Sequence, residues 1–158
     1  FDLACQVLDE LGDKKLVVVA NYRMTIATLL TKLKPYGAVA INGESSDKDK
    51  EEAKRRFIQD PTCRVCILNP RSGGYGIDGF QKVCSDMLFV ELPIVPKDFT
   101  QTVGRLDRDG QQDTVNVRLA TALQTIQTTL RQKLLRKDEI VNRVITSWSD
   151  LRDELELK

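Results

Sequence analysis

Residues Leu16-Val17-Val18-Val19-Ala20 are apolar without interruption. A strand with one wet face alternates polar and apolar side chains. A run this short and this continuous predicts a strand covered on both faces, as in a parallel sheet. Strand-like runs recur at 38–41, 64–68, 87–92 and 115–120. Helical patterns lie between them. Leu3, Val7, Leu8 and Leu11 share one helical face, ended at Gly12, and Ile26, Leu29, Leu30 and Leu33 share another, stopped before Pro35. Ser46 or Asp47 caps a polar helix that buries Ala53, Phe57 and Ile58, and residues 99–106 hold a short helix. After Thr121 the helical spacing returns through Ile126, Leu130 and Leu134, then Ile140, Val141, Val144 and Ile145. This alternation predicts an α/β fold of three layers, a mostly parallel sheet with helices on both faces. Ligands of such sheets bind on loops beyond the carboxyl ends of the strands, here the loops after Ala20, Leu68 and Leu92.

A length of 158 residues suits one domain with its own core. The net charge of +1 gives no broad basic field, so contact with nucleic acid requires a local patch or a second domain. The chain has no histidine, which excludes a Ser-His-Asp triad, a Cys-His nucleophile pair and a His-ligated zinc. It begins at Phe1, which predicts a piece of a longer protein. No apolar run approaches the ~20 residues needed to cross a membrane, and no secretory signal is visible, so the expected location is intracellular. The segment 147–158 places Trp148, Leu151 and Leu155 on one side of an expected docking helix, separate from a domain spanning 1–146.

Cys63 and Cys66 have the C-x-x-C spacing of metal and redox sites. The stretch Cys63-Arg64-Val65-Cys66-Ile67-Leu68 reads as a strand, where residues three apart face opposite ways. The two sulfurs are therefore expected to diverge and to be buried as apolar groups.

Two segments carry stronger signals. The first is Asn69-Pro70-Arg71-Ser72-Gly73-Gly74-Tyr75-Gly76-Ile77-Asp78-Gly79, whose clustered glycines let a backbone approach a ligand closely. Gly74, Gly76 and Gly79 formally satisfy the dinucleotide pattern G-x-G-x-x-G, with Glu91 in place of its ribose-binding acid. That pattern normally opens the first strand–helix unit of a fold, whereas two strands precede it here. A plain connecting turn is the other reading. The second segment runs from Gln101 to Gln111 and carries Arg105 and Arg108. On a helix, residues three apart share a face, and two guanidinium forks on one face suit a polyphosphate. The plainer alternative is a solvated basic face paired with Asp107 and Asp109.

The order of these motifs resembles the C-terminal RecA-like domain of superfamily-two helicases, in the Swi/Snf-like group. The likeness covers most of the chain, from Lys15 to Lys137. LVVVANYR (16–23) resembles the family's fourth motif, and residues 40–43 followed by a polar helix and Phe57 resemble its next conserved stretch. SGGYGIDGFQ (72–81) resembles the fifth motif, and the segment Gln101 to Gln111 fits the sixth, Q-x-x-x-R-x-x-R-x-G-Q. Residues 115–121 and Thr125-Ile126-Gln127 resemble the family's segment after the sixth motif. Asp78 stands where these proteins usually have Asn, Asp107 where His is frequent, Lys50 where Arg is usual and Gln127 where Glu is usual. These differences mark a divergent branch.

The resemblance implies a RecA-like fold and a role as the second half of an ATP-driven motor. ATP would bind between this domain and an N-terminal RecA-like domain of the same protein, which supplies the phosphate loop and holds Mg²⁺. Arg105 and Arg108 would be catalytic, acting on the triphosphate across the cleft, with Gly76, Asp78 and Gln101 also near the nucleotide. Asn21, Arg23, Arg71, Ser72 and Gly73 would face the phosphate backbone of double-stranded DNA. The sequence contains no G-x-x-x-x-G-K-S/T phosphate loop, and Asp138-Glu139 follows a helical stretch instead of an apolar strand. The chain alone is therefore expected to be inactive as an ATPase. A binding or assembly module that keeps the fold without motor activity is the alternative. Neither reading involves a membrane.

Overall fold

The computed structural model describes residues 2–72, 78–93 and 95–120. The expected helices beyond Thr121 and the expected docking helix at 147–158 lie outside the described residues. In chain order the elements are α1 (Asp2–Glu10), β1 (Leu16–Val19), α2 (Arg23–Lys32), β2 (Val39–Ile41), α3 (Asp47–Gln59), β3 (Val65–Leu68), β4 (Asp86–Phe89), α4 (Pro96–Val103) and β5 (Asn116–Leu119). The five strands form one sheet in the order β2-β3-β1-β4-β5, every pair parallel.

The central strand β1 is LVVV, each residue fully buried. Its odd and even side chains enter different layers. Leu16 and Val18 pack with Val65, Ile67 and Leu88 under α1 and α2, through Leu8, Ile26 and Leu29. Val17 and Val19 pack with Met87, Phe89 and Val117 under α3 and α4, through Phe57, Phe99 and Val103. Helices therefore cover both faces, the three-layer arrangement expected from uninterrupted apolar strands.

Several boundaries differ from the sequence expectation for identifiable reasons. β4 ends at Phe89 instead of Leu92. Val90 N–H still bonds Val19 O at 3.0 Å, but Glu91 then turns its carboxylate toward residues 21–25. α4 spans Pro96–Val103 instead of 99–106, because Pro96 occupies its first turn and the helix is capped at Gly104. Ser46 does cap α3, accepting from Asp49 N–H at 3.2 Å, and Ala53 and Phe57 are buried. Ile58 is only half-buried and packs on the rim of that layer.

The cysteine expectation is half right. Cys63 and Cys66 are buried, but both side chains enter the α3/α4 layer, together with Cys84. The strand begins at Val65, so Cys63 belongs to the preceding turn, where its N–H bonds Asp60 O at 3.2 Å, and strand alternation does not apply. Among the described residues no group of three or more His, Cys, Asp or Glu is arranged to hold a metal ion.

The amino edge of the sheet is fastened by Lys15, whose Nζ donates to Phe57 O, Asp60 O and Cys63 O at 2.5, 2.8 and 3.0 Å. One ammonium thus ties the C-terminal turn of α3 and the entry to β3 onto the start of β1. Beside it, Gly37 has φ +68°, and a Cβ there would sit 2.2 Å from Thr62 O, so only glycine fits.

Burial pushes the Cys84 thiol up to about 12 and raises those of Cys66 and Cys63 above their ordinary value. Thiolate is the reactive form, so these three should resist alkylation while the domain is folded. Iodoacetamide at neutral pH is expected to modify Cys5 alone within minutes, and the other three only in denaturant. Rapid modification of all four in the native protein would mean that the layer under α3 and α4 opens readily.

Candidate nucleotide and nucleic-acid site

The carboxyl ends of β1, β2, β3 and β4 open onto one edge, where side chains from distant segments converge. Glu91 Oε2 accepts from Asn21 N–H at 2.6 Å and Tyr22 N–H at 3.0 Å, and its Oε1 accepts from the Thr25 hydroxyl at 2.5 Å. The Asn21 amide donates to Glu91 O and Leu92 O at 3.3 and 3.2 Å. Asn69, just past β3, donates to Asn21 O at 3.0 Å and accepts from Arg71 N–H at 2.9 Å. Next to this network lies a cleft of about 490 Å³ lined by Arg23, Met24, Asn42, Glu44, Asn69 and Arg71. Arg23 forms an ion pair with Glu44, and its side chain remains largely exposed.

These contacts remove the support for a dinucleotide site. The acid that would hold a ribose, Glu91, uses both oxygens on Asn21, Tyr22 and Thr25. The glycine segment follows β3, which lies beside the central β1.

The Gln101 to Gln111 segment departs from expectation in form. α4 ends at Val103, so Arg105 and Arg108 stand on successive turns, not on a helix face. Leu106 N–H and Asp107 N–H both bond Val103 O, at 2.9 and 3.0 Å, and Gly110 closes the turn with φ +92°. Arg108 is paired with Asp78, not with the neighbouring Asp107 or Asp109. Gln81 reinforces the link, donating to Asp109 O at 3.4 Å while accepting from Gly79 N–H at 2.8 Å. The end of the glycine segment and the arginine turn therefore meet. Arg105 is half-exposed on the same turn, and Gln101 is exposed on α4. Ser72 ends the short 3-10 turn Pro70–Ser72, whereas Gly73 and Gly76 lie outside the described residues.

Residues 1–110 match the family described as the helicase conserved C-terminal domain. The chain belongs to that family. As a helicase C-terminal domain it is similar to the DNA repair and recombination protein RAD54-like of Drosophila persimilis, 27% identical over 139 residues covering 85% of the chain and 17% of that protein. It is also similar to the SWI/SNF-related matrix-associated actin-dependent regulator of chromatin subfamily A-like protein 1 homolog of Caenorhabditis elegans, 23% identical over 149 residues covering 92% of the chain and 21% of that protein. These relatives are of the Swi/Snf-like kind that the motifs resemble. The chain spans about a fifth or less of their length. The C-terminal part of the Fun30 ATPase domain has the same fold, with a TM-score of 0.75 at 20% identity over 83% of this chain and 43% of that one.

Sequence reading of this helicase domain misses the residues that hold the site together. Thr25 stands in no motif, Asn69 enters only as the first residue of the glycine segment, and Glu91 only as a stand-in for a ribose-binding acid. One local signal points to Glu91. Helix α2 has Tyr22 as its N-cap with no side-chain cap bond and no acid in its first turn, so its amides need an acceptor from elsewhere. Gln111, the last letter of the sixth motif, is a structural staple. Its Nε2 donates to Cys84 O and Leu106 O at 3.0 and 3.3 Å, its Oε1 accepts from Gln112 N–H and Asp113 N–H at 3.0 Å each, and its N–H bonds Arg108 O. Gln111→Ala should therefore lower stability by about 2 kcal/mol, the net worth of several partly exposed hydrogen bonds. Amide exchange should quicken across residues 104–112 with little change in β1. Unaltered exchange there would show that the turn holds its shape without Gln111.

Proposed function

We propose that this domain is the second motor domain of an ATP-dependent, Swi/Snf-like DNA translocase. In this reading an N-terminal RecA-like domain of the same protein binds the triphosphate and its Mg²⁺, and the present domain closes over them. The observation that carries the proposal is the meeting of the arginine turn with the end of the glycine segment through Arg108 and Asp78, in a domain of the helicase family.

The chemistry follows from the side chains. A guanidinium presents parallel N–H donors that match phosphate oxygens and carries a permanent charge. Placed against the transferred phosphoryl group, Arg108 and Arg105 stabilise charge that is greatest in the transition state, the condition for raising kcat instead of only tightening binding. Asp78 holds Arg108 at the head of the segment that runs back to Arg71, Ser72 and Gly73. On the nucleic-acid side, Arg23 and Arg71 offer charge to the DNA backbone, and Asn21 orders the turn that carries Arg23. Backbone contacts of this kind fix register on a duplex without reading sequence.

Arg108→Ala in the full protein should reduce DNA-stimulated kcat by at least ~100-fold with a much smaller change in ATP affinity, because arginine fingers contribute roughly 10³–10⁵ in rate. Arg108→Lys should rescue little, since a point charge does not reproduce the fork. Lys48→Ala, on the exposed face of α3, serves as the control and should behave as the parent. Normal turnover in a folded Arg108→Ala protein would remove the arginine-finger assignment while leaving the fold assignment in place.

The chain by itself should show no ATPase activity above background, with or without duplex DNA, because the proposal assigns the phosphate loop and the Mg²⁺ carboxylates to the other domain. Steady-state phosphate release measures this directly. Robust DNA-stimulated turnover by the purified chain would refute the two-domain mechanism.

A further inference from the structure

We infer that Glu91 is a positioning residue for nucleic-acid binding, its carboxylate setting the Asn21-Tyr22-Arg23 turn so that Arg23 and Arg71 meet the phosphate backbone in a fixed relation. The inference rests on the proposed function, in which those two arginines contact nucleic acid.

The turn between β1 and α2 is anchored to the segment after β4, to which its Asn21 side chain also donates, at Glu91 O and Leu92 O. Tyr22 is 61% exposed and Met24 79% exposed, so packing does little to fix it. The N-cap of α2 supplies no side-chain bond of its own. Three donors from this turn, Asn21 N–H, Tyr22 N–H and the Thr25 hydroxyl, converge on one carboxylate about 70 residues further along the chain. Two oxygens engaged by three donors leave the carboxylate one orientation, and the turn with it. The negative charge also faces the positive end of the α2 helix dipole.

The restraint extends beyond the turn. Asn21 passes it to Asn69, and Asn69 holds Arg71 N–H. The side chains of Arg23 and Arg71 line the same cleft, and Glu91, Asn21 and Asn69 form the path that fixes one relative to the other. The spacing of phosphates along a strand is set by the nucleic acid. A pair of cations already held at a suitable separation loses less freedom on binding than two cations on independent loops. Glu91 needs no contact with the nucleic acid to have this effect.

This role has a signature that neither a charge effect nor a purely structural effect shares. Removing a carboxylate beside a phosphate-binding surface should strengthen binding if electrostatics alone mattered. A positioning role predicts the opposite sign. Glu91→Gln in the full protein keeps the size of the side chain while removing its charge and replacing one acceptor with a donor. Binding to a fluorescent duplex, measured by anisotropy across a salt series, is expected to weaken about tenfold, consistent with loss of hydrogen bonds to a charged group. The slope of log affinity against log salt should fall by about one, as for Arg23→Ala, because the same phosphate contact is lost. In the Arg23→Ala background, Glu91→Gln should add little.

Three results would overturn the inference. The first is unchanged or tighter binding by Glu91→Gln when Arg23→Ala binds weakly, which leaves the nucleic-acid reading intact. The second is a lowered thermal midpoint with parent-like affinity below it, which would make Glu91 structural only. The third is parent-like binding by Arg23→Ala, which would remove the underlying assignment of Arg23 as well. If Glu91→Gln does not fold, Thr25→Val, which deletes one donor while keeping the shape, decides the matter. Binding about threefold weaker supports the role, and unchanged binding overturns it.

Discussion

A fully buried parallel strand can exist only if apolar side chains cover it on both faces, and β1 imposes that condition on the whole domain. Each of its residues is sealed from water, and its backbone is bonded on one side to β3 and on the other to β4. The two layers follow directly: α1 and α2 against Leu16 and Val18, and α3 and α4 against Val17 and Val19. Because the strands run parallel, their carboxyl ends lie along a single edge, and so do the loops that carry charged and polar groups. The chain leaves β1 toward β2 and leaves β4 toward β5, so the loops diverge on either side of this point, the place where open α/β sheets bind ligands.

Polar side chains of long sequence reach complete what apolar burial begins. Lys15 draws the end of α3 onto the amino edge, and Glu91 draws the start of α2 onto the carboxyl edge. Between β4 and β5, the buried Asp86 pairs with Arg118 at 2.7 Å and accepts from the Ser85 hydroxyl at 3.2 Å. A carboxylate this deeply buried requires such partners, so the pair fixes how the outer strand sits against its neighbour. Each of these groups serves backbone or charge that would otherwise be desolvated without compensation. They specify the arrangement more than they add to its stability.

The strands and their layers are legible in the sequence because continuous apolar runs have few alternatives once they are bounded by Gly, Pro and Asn. The arginine motif is legible as a pattern of letters, although its spacing suggests a helix face where the chain forms a turn, since the capping at Gly104 depends on how α4 packs. β4 reads too long because Val90, Glu91 and Leu92 look like strand, and only the bonds from residues 21–25 reveal why the chain turns away. The cysteine pair misleads for a similar reason. Strand alternation does not reach Cys63, which belongs to the turn held by Asp60 and Lys15. In each case the deciding partner lies outside the local pattern, which carries no information about it.

The strand order also bears on how the protein comes into being on the ribosome. The central strand is made before both of its neighbours: the segments that flank it, Val65–Leu68 and Asp86–Phe89, emerge only after the whole of α2, β2 and α3. At ordinary rates of translation this delay is on the order of seconds. Throughout it, the most apolar stretch of the domain has no sheet to join. Contacts this distant along the chain also form slowly. A nascent LVVV segment waiting for its neighbours is exposed apolar surface of the kind that makes partly folded chains prone to aggregate.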